Sequence, residues 1–242
     1  MVIEILIIII LTSFVQSFFG TGVLLFGTPL LLIFGYDFFT TLSILLPTSI
    51  LISLSQIFKN FQFLNNELVR LTIVYSVPTI IFFLFLTSFI SINTKFFLGL
   101  FLILISTKDS FLLLKNIFKY ILKYKKLYFT IMGIVHGLTN SGGAMLSAVV
   151  FEKNISKISK RTSIAFCYLI FALFQIITLF FVYDLGSIVI EHLYMYWFIG
   201  QLIYVLSNKY LFMKVDEKKY SLLSRLFLFL VGIVLIIDHF NG

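Results

Sequence analysis

Apolar residues in this chain come in long runs and not in narrow stripes. Phe38 to Phe58 and Leu71 to Ile90 carry no charged residue, and Thr94 to Leu114 carries only Lys95, Lys108 and Asp109, towards its ends. Comparable stretches follow at Thr162 to Tyr183, Ile188 to Leu206 and Leu222 to Ile237. A helix of about 20 residues crosses a hydrocarbon core of about 30 Å. Lipid satisfies no backbone N–H or C=O, so runs of this length predict transmembrane helices and an all-α polytopic membrane protein.

Two apolar stretches are interrupted. In Leu127 to Phe151 the sequence Asn140-Ser141-Gly142-Gly143 separates two arms, Leu127 to Leu138 and Ser141 to Phe151. Each arm reaches roughly 16–18 Å as helix, about half a bilayer. Near the start, Val2 to Phe19 and Val23 to Phe34 flank Gly20-Thr21-Gly22 and lead into a turn at Gly35-Tyr36-Asp37. The break at Asn140 to Gly143 predicts a helical hairpin turned at its tip; the first stretch has the same grammar, and its 18 residues Val2 to Phe19 leave a full crossing as the alternative. The opening residues have no basic segment and no small-residue cleavage pattern, so they are read as a retained membrane element.

Composition agrees with this picture and charge gives it a direction. Of 242 residues, 60% are hydrophobic and 12% charged, well below the charged fraction of about a quarter in soluble domains. The net charge of +8 is confined to a few connections. Seventeen of the 18 Lys and Arg residues flank the loop from Lys59 to Arg70 or lie within Lys108–Lys126, Lys153–Arg161 and Lys209–Arg225. That is the positive-inside pattern of a cytoplasmic face, not a nucleic-acid surface. Each lysine on its own solvates a loop or meets anionic lipid. The stretch Leu127 to Phe151 starts and ends on this basic side, so it must enter the membrane and return. The scheme puts both termini outside.

Each half therefore reads as a hairpin followed by three spans, in opposite orientation: repeat 1 at residues 1–114, a basic cytoplasmic connecting loop at 115–126, and repeat 2 at 127–242. A shift of 120 residues lays Thr21 on Ser141, Gly22 on Gly142, Ser43 on Ser163 and Gln16 on His136. An inverted-topology repeat points to a secondary transporter with its substrate between the repeats.

The breaks are where chemistry is expected. A half-helix that begins inside the membrane presents N–H groups with no intrahelical partner and a partial positive charge, which suits an anion. The candidate substrate-binding residues are Gly20, Thr21, Gly22, Asn140, Ser141, Gly142 and Gly143, joined by Thr48, Ser49 and Ser163 on the spans that follow. The glycines serve equally for close helix packing. His136 is either a proton-coupling residue or a helix-packing hydrogen bond. Gln56, Gln175 and Gln201 read as interhelical glue, and the single Cys167 as buried and structural. No HExxH, GxSxG, Walker loop or metal-ligand cluster occurs, so neither enzyme chemistry nor a cofactor is expected.

The segments "SFFGTGVLLFGTPLLLIFG" and "HGLTNSGGAMLSAVVF", each opening one half of the chain, resemble the TauE/SafE family of sulfite exporters and related anion permeases. Gly20, Gly22 and Pro29 match the family's glycine-rich break and following proline; Asn140 and Val149 depart from it in the second half. The resemblance implies a permease in the bacterial inner membrane moving sulfite or another small sulfur-containing or organic anion, driven by an H+ or Na+ gradient. A non-transporting membrane scaffold is the alternative, and the oligomeric state stays open.

Overall fold

The computed structural model describes residues 2–58, 60–90, 92–183, 193–211 and 217–241. Among them every regular element is helical. The first hairpin is α1 (Ile3–Phe19) and α2 (Val23–Ile33), and the second is α8 (Lys125–Thr139) and α9 (Gly143–Glu152). Between and after them come α3 (Phe38–Phe58), α4 (Asn66–Leu71), α5 (Val77–Phe89), α6 (Thr94–Thr107), α7 (Leu112–Lys123), α10 (Lys157–Val182), α11 (Leu193–Leu211) and α12 (Glu217–Asn241).

Local chemistry sets these boundaries. Asp37 accepts a hydrogen bond from Thr40 N (2.9 Å) at the start of α3, and Asn65, Asn93 and Ser156 cap α4, α6 and α10 in the same way. α4 and α5 form one continuous helix through a wide turn at Thr72–Ser76. Pro78 explains the widening, because proline has no N–H and its ring clashes with the preceding turn. The combined helix Asn66–Phe89, together with Phe38–Phe58, Lys157–Val182 and Leu222–Phe240, is long and apolar enough to cross a bilayer.

One expected span ends early. The run Thr94 to Leu114 is helical only to Thr107; α7 then leaves at 97° to α6. The polar Lys108-Asp109-Ser110 sequence turns the chain, with Asp109 facing Arg225 at 3.6 Å. Residues 115–126, read as a loop, are therefore mostly helix. On α7, Lys115, Lys119 and Lys123 recur every four residues on one face. Leu113, Ile117 and Tyr120 are exposed, while Phe118, Ile121 and Leu122 pack on the core. This is the pattern of a helix lying in the membrane interface. The proposed span Ile188 to Leu206 begins outside the described residues; its remainder lies within α11.

The two hairpins open at opposite ends of the helix Asn66–Phe89. At the Asn66 end, Glu67 pairs with Lys125 at the start of α8 and with Lys153 just after α9 (2.7 Å). The second hairpin thus begins and ends on one side. The first closes likewise, since the Tyr36 hydroxyl donates to Glu4 (3.3 Å). Tyr36 and Asp37 share a cleft with Asn93, Thr94 and Lys95, beyond the Phe89 end.

Packing repeats at the 120-residue offset. α3 packs on α10 and α6 on α12; α1 lies against α11 as α8 lies against α5. Small residues permit the closest approaches, as expected where helices associate by contact rather than by the hydrophobic effect. Gly133 and Gly137 let α8 meet α5 at Ser76 and Ile80, and Gly200 lets α11 meet Ser13 and Thr48. A Cβ at Gly99 would stand 2.9 Å from the Gly232 carbonyl oxygen, and one at Gly232 equally close to that of Gly99. Gly99→Leu should therefore push α6 and α12 apart and destabilise the fold by about 1–3 kcal/mol. A lowered melting temperature of the detergent-purified protein is the expected result.

Candidate functional site

Both hairpin tips are built on one plan. α1 ends at Gly20 with a left-handed φ of 78°, and α8 ends at Asn140 with φ 56°. In each the capping N–H returns to the carbonyl four residues back, that of Gln16 or His136. Glycine tolerates this conformation freely and asparagine is the best of the other residues. Two residues on, Gly22 and Gly142 lie against their own hairpin arm. A Cβ on Gly22 would fall 2.5 Å from Thr12 O and 2.6 Å from Gln16 N; on Gly142 it would fall 2.6 Å from Met132 O and 2.7 Å from the His136 Cβ. These two glycines are needed for the chain reversal itself, since no side chain fits at either position.

The starts of the short helices differ. In the first hairpin Gln16 Oε1 accepts from Val23 N (2.9 Å), so a side chain of the protein sits at the N-terminus of α2. In the second, His136 occupies the Gln16 position but turns away: its Nε2 meets Gln175 Oε1 at 3.1 Å and its ring lies over Phe171. Thr139 Oγ1 accepts from Ser141 N (3.3 Å), and α9 has no side-chain acceptor from its N-cap, Gly142. The Tyr168 hydroxyl comes so near Gly143 that any side chain there would collide with it. Asn140 Nδ2 donates to Thr28 Oγ1 (2.9 Å). The second tip thus meets α2 six residues past Gly22, and the two breaks lie offset instead of end to end.

Of the residues singled out from sequence, Gly20, Thr21, Gly22, Thr48, Ser49, Asn140, Ser141, Gly142, Gly143 and Ser163 are all buried. They do not form one cluster. Ser163 accepts from Asn65 N (2.9 Å), so it anchors the connection before α4. Thr48 and Ser49 belong to a polar row that sequence reading saw only in part. Ser49, Ser53 and Gln56 share one face of α3 at i, i+4 and i+7; Thr48 and Ser13 of α1 both lie against Gly200. The hydroxyls of Ser13, Thr48, Ser49 and Ser53, with Gln16 Nε2 and Gln56 Oε1, are buried and have no hydrogen-bond partner among the described residues. Gln56 Nε2 donates to Gln16 O (3.4 Å), which brings the row to the first break.

Arg161 was also missed. Its Nη2 donates to Ser17 O (2.9 Å) and to the Tyr204 hydroxyl (3.0 Å), and its stem lies over Gly20. It looked like the last lysine-loop cation, yet it is followed by 22 uncharged residues, Thr162 to Tyr183. That boundary was the signal in the sequence. Gln175 and Cys167 behave as expected, the latter buried beside Thr72 (3.2 Å).

Long apolar helices and two broken hairpins around a polar interior define an integral membrane protein. The model of the sulfite exporter TauE/SafE family matches residues 5–235, and the chain belongs to that family. Its members are anion transporters and not enzymes. Neither the curated proteins nor the solved structures yield a match.

Gln16→Leu keeps the volume but leaves Val23 N–H buried and unpaired, which costs about 1–3 kcal/mol. The expected outcome is a lower melting temperature, partly restored by Gln16→Glu, which retains an acceptor.

Proposed function

We propose that the protein carries a small anion, sulfite or another sulfur-containing or organic anion, across the bacterial inner membrane by alternating access coupled to an ion gradient. The observation that carries this reading is the row of buried hydroxyl and amide groups without protein partners, running along α1 and α3 from the first break to Thr48. Buried polar groups are normally hydrogen-bonded. A row left open inside an apolar bundle fits a path along which a hydrogen-bonding solute moves.

The opposite openings of the hairpins and the packing repeated at a 120-residue offset support two inverted repeats that rock against each other. The Lys-rich end bearing Glu67, Lys125 and Lys153 is the cytoplasmic side in this scheme, with both termini outside. Repeat 1 is residues 1–114 and repeat 2 is 127–242, joined through α7. Thr48 and Ser49 act as solute ligands, together with the start of α9 at Asn140, Ser141, Gly142 and Gly143. Gly20, Thr21 and Gly22 shape the first break. His136 is the coupling residue where H+ is the driving ion; Na+ is the other candidate. The scaffold alternative draws on the packed glycines, but it assigns nothing to the open hydroxyl row.

Sulfite uptake into proteoliposomes, with pH and sodium gradients applied separately, tests the reading. Thr48→Val with Ser53→Ala removes hydroxyls that bond to nothing in the protein, so the melting temperature should hold or rise. Uptake should fall by about tenfold or more, the worth of one to two hydrogen bonds in the bound state. Unchanged uptake in this double variant would count against the path.

A further inference from the structure

The two tips share a backbone plan but differ in charge. Arg161 of α10 crosses the first tip with its stem over Gly20, its Nη2 bonded to Ser17 O and to the Tyr204 hydroxyl, and its guanidinium 5.8 Å from the Tyr204 ring centre. At the same offset in the first half stands Thr41, a neutral residue. The positive charge thus belongs to one end of the polar row only, the end where Gln56 meets Gln16.

Position adds to this. Lys153, Lys157, Lys160 and Arg161 descend from the connection after α9 into α10. Arg161 is the innermost, and beyond it the helix is uncharged to Val182. A graded row of cations that narrows to one partly buried guanidinium concentrates anions at that point. An ionisable side chain within a membrane helix is a functional-site candidate by default, because holding it there is expensive. One donor of the α2 N-terminus is already taken, since Gln16 Oε1 accepts from Val23 N.

Resting on the transport reading above, we infer that Arg161 is the charge-selective ligand at the basic-side mouth of the polar row. It holds an oxyanion against the first break before the anion passes to the hydroxyls of Ser53, Ser49 and Thr48. Tyr204 is its positioning residue, fixing the plane of the guanidinium from α11. A planar fork of N–H donors matches two oxygens of one sulfite, sulfonate or carboxylate group; a lysine ammonium supplies charge without that match. The site therefore prefers oxyanions to chloride.

The test is sulfite uptake kinetics for the full chain in proteoliposomes, with acetate, methanesulfonate and chloride as competitors. Arg161→Lys keeps the charge and can still reach the Ser17 carbonyl, so it should insert normally. Its KM for sulfite should rise about tenfold, and Arg161→Gln should raise it roughly a hundredfold, one decade for the planar fork and a second for the charge. Maximal rate should change far less than KM. Tyr204→Phe should raise KM by less than Arg161→Lys. In the wild type, acetate and methanesulfonate should compete with sulfite and chloride should not. An Arg161 that merely caps α1 would lower the melting temperature and the yield with KM unmoved. An unchanged KM in Arg161→Lys overturns the inference even if Arg161→Gln fails to fold. Wild-type vesicles that move none of these anions would instead sink the transport reading, and this assignment with it.

Discussion

Lipid neither donates nor accepts a hydrogen bond, so a helix that stops inside the bilayer must finish its own ends. Both hairpin tips meet this requirement by the same route. The last turn closes on a left-handed residue, Gly20 or Asn140, and the chain then folds against its own arm at Gly22 or Gly142. The turn is so tight that no Cβ fits at the second position, whatever solute passes nearby. Everything else in the interior is arranged around these two self-contained reversals.

With the chain reversals thus set by the backbone, side chains are free to differ between the halves, and they do. Gln16 closes the start of α2, whereas His136 at the equivalent place pairs sideways with Gln175. Arg161 lies over the first tip, and the offset places Thr41 on the matching helix of the other half. A helix terminus contributes about 0.3–2 kcal/mol to holding a charge. An interior that relied on such ends alone would bind anions weakly. In the proposed carrier the partly buried guanidinium and the unpartnered hydroxyls of α1 and α3 add to what the tips supply.

Much of the architecture was legible because it follows from one-dimensional length and charge. Spans follow from apolar run length, and the second hairpin from two basic stretches that had to share a side, which Glu67 bridging Lys125 and Lys153 shows directly. Among the described residues the run Thr94 to Leu114 is not one straight helix, because the polar Lys108-Asp109-Ser110 turn bends the chain between its apolar parts. The four-residue spacing of Lys115, Lys119 and Lys123 could have revealed α7 as a surface helix, but the density of lysines suggested a loop.

The chain by itself determined that this is a helical membrane protein, that its second hairpin breaks at Asn140 to Gly143 and that the first apolar stretch is interrupted at Gly20 to Gly22, because solvation of the backbone leaves lipid-embedded segments few alternatives. The structure made the first break a hairpin. Which polar groups remain open was decided by tertiary packing alone. Ser163 and Thr48 look alike in sequence, yet one meets Asn65 N across 98 positions and the other lies against Gly200 with no hydrogen-bond partner among the described residues. Arg161 became more than a loop cation only when α10 crossed the first tip. Hydrogen-bond satisfaction depends on what lies within about 3 Å in space, and residue order carries no record of that distance.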